Sequence, residues 1–179
     1  EMCIRDSFRQ YLVFVALSVA GLVPFQLLSF HLKQVRIVAD PVIPALFAAA
    51  MLVDAAAGLL FGALYDRFGL RVLVTIPAFS AVAAPLVFSG YPPLLLIGVM
   101  LWGAVIGGQE TIMRAAIPSL VVREERGTAY GLFNGVYGLA WFLGSAAMGA
   151  LYDFSLGGLI AFAIGVELIA LSVFLRMPR

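Results

Sequence analysis

Charge is what this chain has least of. Only 12% of its 179 residues are Asp, Glu, Lys or Arg and 63% are apolar, against roughly 25% charged and about 45 to 50% apolar in an average soluble domain. A chain with so little polar surface cannot cover a core in water, so an integral membrane protein is expected. The remaining charges are nearly balanced, 11 basic and 10 acidic, which leaves no basic face to hold nucleic acid. With one cysteine, Cys3, and one histidine, His31, neither an internal disulfide nor a Cys or His metal cluster can be built. No G-x-x-x-x-G-K-[ST] loop cradles phosphates, and no G-x-S-x-G elbow presents a nucleophile. Self-contained ATP hydrolysis and intramembrane proteolysis are therefore not expected, nor is a cofactor or a bound metal.

Long apolar runs are what the chain has instead. About 20 mainly apolar residues cross a bilayer as a helix, and cutting at charge and turn clusters leaves six such pieces. They are predicted at 8–30, 41–64, 72–89, 93–117, 128–152 and 156–175, separated by HLKQVRIVAD, YDRFGLR, GYPP, PSLVVREERG and DFSLG. The expected fold class is thus an all-α integral membrane protein with six transmembrane helices. Residues 8–179 form one transmembrane domain, and nothing remains for a soluble one. The opening EMCIRDS lacks the layout of a signal peptide; it resembles a translated adapter remnant, so 1–7 are expected to be extraneous and the chain a fragment.

Orientation follows from the basic residues in the short connections. One side collects Arg5, Arg9, Arg67, Arg71, Arg123, Arg126, Arg176 and Arg179, whereas the other holds Lys33 and Arg36. Both termini are expected in the cytoplasm, in a multi-pass protein of the plasma (inner) membrane.

The pentapeptide GALYD occurs at 62–66 and again at 149–153. In an Ala- and Leu-rich chain the identity can be chance. Alternatively, the copies close the second and fifth helices at opposite faces, as they do if a three-helix unit is repeated in inverted orientation.

The first copy extends to GALYDRFGLR, which fits G-x-L-x-D-R-x-G-x-R at Gly62, Leu64, Asp66, Arg67, Gly69 and Arg71. Gly62 lets helices approach closely, Asp66 can accept hydrogen bonds from a neighbouring helix start, and Gly69 permits a tight reversal. Arg67 and Arg71 can pair bidentately with carboxylates; a basic turn serving topology alone is the competing reading. The segment resembles the signature loop between the second and third helices of each half of the major facilitator superfamily, and the resemblance covers nearly the whole chain after Ser7. It implies a conformational latch at these six positions, two inverted three-helix repeats, and half of a 12-helix fold. The fourth helix opens PLLLIGVMLWG and the fifth has no Pro; both favour the C-terminal half, which leaves an N-terminal six-helix half missing. By resemblance the function is secondary active transport of a small solute by alternating access, driven by a proton or ion gradient. A complete half-size permease or channel working as a homodimer is the alternative.

Four ionisable residues fall inside the predicted spans, each costing about 2.5 to 3.5 kcal/mol at mid-bilayer unless partnered. Glu110 and Arg114, four apart on one helical face, read either as a structural pair or, with Gln109, as part of the transport path; the family's cavity-lining first and fourth helices point to the path. Asp54 is a hydrogen-bonded packing residue or a proton carrier. Glu167, on a helix peripheral in the family, is expected to find a pairing partner. On the first helix, Pro24 can loosen the backbone beside Gln26, Ser29 and His31, with His31 ending the helix or facing a cavity. Gly131, Gly135, Gly138, Gly144 and Gly149 are expected to serve close helix packing.

Overall fold

The computed structural model describes residues 2–177, with side chains from Asp6 onward. Arg5, Arg179 and most of the expected prefix lie outside the described side chains. The secondary structure is helical throughout: α1 (Met2–Gly21), α2 (Phe25–Val35), α3 (Val42–Phe68), α4 (Thr75–Val87), α5 (Pro92–Ala115), the single turn α6 (Ile117–Leu120), α7 (Arg126–Phe154) and α8 (Leu156–Leu175), with 3-10 turns at Gly69–Val74 and Arg123–Glu125.

Among the described residues, five helical stretches are long and apolar enough to cross a membrane: Asp6–Val35, Val42–Val87, Pro92–Ala115, Arg123–Phe154 and Leu156–Leu175. The second has 46 residues, more than twice what one crossing of about 20 requires. It folds back at Gly69, whose φ of 62° lies in the region that only glycine enters cheaply. Contacts with α5 show the reversal. Gly103 and Gly107 of α5 meet Ala50 and Asp54 of α3, so those helices run parallel, whereas Gly98 and Gly108 meet Leu86 and Ile76 of α4, an antiparallel pairing.

The first stretch is broken. Pro24 has no N–H and disfavours helical backbone at Val23, so α1 stops at Gly21 and α2 begins at Phe25. Exposed polar backbone inside hydrocarbon is tolerated only where protein satisfies it, and α5 does so. The Trp102 Nε1–H donates to the Val23 carbonyl at 2.8 Å, and Gln109 Nε2 donates to the Ser18 carbonyl at 3.2 Å. The missing donor of Pro24 also frees the Ala20 carbonyl, and there Gly144 of α7 packs so closely that a Cβ would overlap it.

The buried core gathers around α1 and α5, with Tyr11, Phe14, Ile112, Met113 and Phe133 among its fully enclosed side chains. Of the five glycines expected to serve packing, only Gly144 does so within the chain. A Cβ at Gly131, Gly135, Gly138 or Gly149 would meet nothing within 4 Å, because these positions face outward from α7, whereas Gly144 faces α1.

Candidate functional site

The face formed by α3, α5 and α7 carries a polar group assembled from three helices. Asp54 is half-buried on α3, its main chain pressed against Gly107. Glu110 projects from α5 one turn away and is exposed, as is Arg114 one turn further. The Glu110 carboxylate acts electrostatically on Asp54, and both Glu110 and Arg114 act on the Tyr137 phenol of α7. Tyr137 stacks on Trp141, centroids 6.3 Å apart and planes 15° from parallel. Two acids, one guanidinium and an aromatic platform can together hold a polar solute by charge and by its apolar face.

Gln109 does not join this group. Neighbouring residues on a helix point about 100° apart, so while Glu110 faces out, Gln109 is fully buried against α1. Gln26 sits elsewhere too, in a separate cleft with Ser29, Lys33 and Asp40. His31 is buried rather than exposed at a helix end, its Nδ1 2.9 Å from the Tyr152 hydroxyl. Glu167 finds no cation among the described residues; the serine hydroxyls of Ser18 and Ser80 face it instead.

At the loop motif, Gly62 runs past Thr111 of α5, Leu64 packs on the core, and Asp66, Arg67 and Arg71 are exposed. The Arg67 guanidinium lies 5.3 Å from the centre of the Phe68 ring. The charged members of the motif thus point away from their own helices.

Sequence reasoning missed a collar of tyrosines around the end of α5. Tyr11 of α1 donates to the Met113 carbonyl, Tyr130 of α7 to Arg114 at 3.4 Å, and Tyr65 of α3 to Ala115 at 3.3 Å. The signal was available at Pro118, which cannot supply the N–H that the Arg114 carbonyl would take in a continuing helix.

Apolar helices of spanning length and a backbone break met by side-chain donors from a neighbouring helix mark a multi-pass membrane protein. The family model described as the Major Facilitator Superfamily matches residues 11–179. Uncharacterized proteins of Mycobacterium bovis and of the CDC 1551 and H37Rv strains of Mycobacterium tuberculosis are each 37% identical over 175 residues, covering 97% of this chain and 43% of their own. This chain belongs to the Major Facilitator Superfamily, whose members are transporters. It spans less than half the length of these relatives.

Proposed function

We propose that this chain is the C-terminal six-helix half of a secondary transporter that moves a small solute by alternating access, coupled to a proton or ion gradient. Its six crossings are α1 with α2, then α3, α4, α5, α7 and α8, arranged as two inverted three-helix units.

The observation that carries the reading is a paired contact pattern at the spacing of the two tags. Gly62 and Gly149 are 87 positions apart. The same shift takes Ala20 to Gly107 and Gly144 back to Ala57. Ala20 packs on Gly144, and Gly107 packs on Asp54 and Gly58, which flank Ala57 along α3. Ser80 and Glu167, which face each other, are also 87 apart. A pseudo-two-fold axis in the membrane plane generates such pairs, as in the inverted repeats of these transporters.

Basic residues support cytoplasmic termini: Arg9, Arg67, Arg71, Arg123, Arg126 and Arg176 belong to one set of helix ends, and Lys33 and Arg36 to the other. Asp54, Glu110 and Arg114 are the path residues, with Tyr137 added. The loop from Gly62 to Arg71 is the latch, its exposed Asp66 and arginines reaching the other half. The outward glycines of α7 give that half a surface for close approach.

The test is gradient-driven uptake by the full-length protein in proteoliposomes across a panel of solutes. Accumulation that collapses with the gradient is expected. Facilitated flux indifferent to every gradient would replace the coupled transporter by a channel, and six upstream helices missing from the gene would replace the half by a homodimer.

A further inference from the structure

Among the described residues, Glu167 is the one acid enclosed by the bundle rather than open to the polar face. It is 1% exposed, twelfth of the twenty residues of α8, and neither carboxyl oxygen has a hydrogen-bond partner. Ser18 of α1 and Ser80 of α4, 0% and 2% exposed, turn their hydroxyls toward it. The Ser18 Oγ is likewise unpartnered. Three hydroxyl-bearing or acidic side chains from three helices therefore meet at mid-membrane with spare hydrogen-bonding capacity.

The site touches the backbone break. A Cβ at Gly21, the last residue of α1, would come within 2.9 Å of the Glu167 Cγ and 3.0 Å of its Oε1, so the side chain is wedged against the point where the first span bends. On the far side of that bend Trp102 holds the Val23 carbonyl.

Among the described residues no charge offsets the carboxylate. α4 carries no titratable side chain. On α1, Tyr11 lies ten residues before Gly21, about 15 Å along the helix, with its hydroxyl on Met113; Arg9 and Asp6 are farther still. Arg71 in the 3-10 turn is nine residues before Ser80. On α7, where Gly144 meets Ala20, Tyr137 and Tyr152 are seven and eight residues away, Tyr152 engaged by His31, and Tyr130, Arg126 and Asp153 lie beyond them. An ionised carboxylate with no cation beside it, and only two serine hydroxyls able to donate to it, is a state such surroundings oppose. A neutral acid suits them, since its O–H can donate to either serine.

We propose that Glu167 is a proton-binding site set against the bend of the first span, so that loading and release of its proton are linked to the angle between α1 and α2. The proton comes from water and returns to water. Releasing it leaves a carboxylate that must be hydrated, which requires α8 and α1 to part where Gly21 now fits against the side chain. A proton is favoured over a metal cation because the facing groups are one carboxyl and two hydroxyls, fewer oxygens than the six or so a hard cation gathers. Its place in a transport cycle rests on the transporter reading; the site itself does not.

Two spectroscopic readouts on the full-length protein in nanodiscs test this without transport. Infrared difference spectra between wild type and Glu167→Gln should show a protonated-carboxyl band at neutral pH that converts to carboxylate as the pH rises and is indifferent to sodium. Glu167→Asp should keep a shifted band. Indole emission assigned to Trp102, as the part lost in Trp102→Phe, should change over the same pH range and stay flat in Glu167→Gln. A carboxylate already present at neutral pH, or an acid band displaced by sodium at fixed pH, overturns the proton site. An acid band that converts while Trp102 emission stays constant overturns the link to the bend. Failure of all uptake would remove the transporter reading and leave these titrations standing.

Discussion

Tyr65 and Tyr152 occupy the same place in two copies of one pentapeptide, yet they hold different things. Tyr65 donates to a backbone carbonyl at the end of α5, whereas Tyr152 meets the ring of His31 on α2. Both tie a tag-bearing helix to the end of a neighbouring one, so the shared residues keep a common structural position. The copies diverge at the very next residue, Arg67 in one and Phe154 in the other. Beyond the first copy the chain turns on Gly69, at φ 62°, into a 3-10 turn that follows Arg67 and contains Arg71. Beyond the second it turns on extended Ser155, whose Oγ accepts the Gly158 N–H and caps α8. The repeated positions keep a common structural place, and the two copies differ in how the chain reverses after them.

The two aspartates give the widest contrast. In the full-length protein Asp66→Asn should reduce uptake to background with an unchanged amount of protein in the membrane, while Asp153→Asn should transport like wild type. Equal effects at both sites would break the comparison, and normal uptake in Asp66→Asn would remove the latch.

Glycines that touch neighbours can be set against those that do not. Gly103→Ala puts a methyl into the Ala50 carbonyl and should cost about 1 to 3 kcal/mol, as overpacking usually does, read as a lower midpoint in detergent-induced unfolding. Gly144→Ala should behave likewise. Gly131→Ala, with nothing within 4 Å, should not lower that midpoint in this chain.

The two reversals come next. Gly69→Ala should cost about 1 to 2 kcal/mol, since an L-residue is strained at that φ. Ser155→Ala should cost about 1 kcal/mol through loss of the helix cap. The smallest effects belong to the tyrosines, where Tyr65→Phe and Tyr152→Phe should each cost about 1 kcal/mol or less. A much larger loss for Tyr152→Phe would mean that His31 depends on it for more than packing.

The membrane class was legible because hydrocarbon imposes a length and a composition that the sequence displays directly. Gly69 was legible for a local reason, a glycine needed where two helices reverse. The α1–α2 break was only half visible: Pro24 announces a loosened helix, but the donors that make it tolerable, Trp102 and Gln109, come from nearly 80 residues or more away. Gln109 was misplaced for the same reason. Helical spacing puts it beside Glu110 in sequence, and only the position of α1 decides which of the two turns inward. Glu167 could be recognised as costly but not as enclosed by serines, since Ser18 and Ser80 reach it through tertiary packing alone.

The outward glycines of α7 bear on how the protein is held in the membrane. Arg123–Phe154 is the least apolar of the five spanning stretches, and glycines on its open face cover little backbone. Of the five it gains least from partitioning into lipid by itself, so its residence in the bilayer depends most on helices already there. α7 is therefore the segment whose place in the bilayer gains most from neighbouring helices.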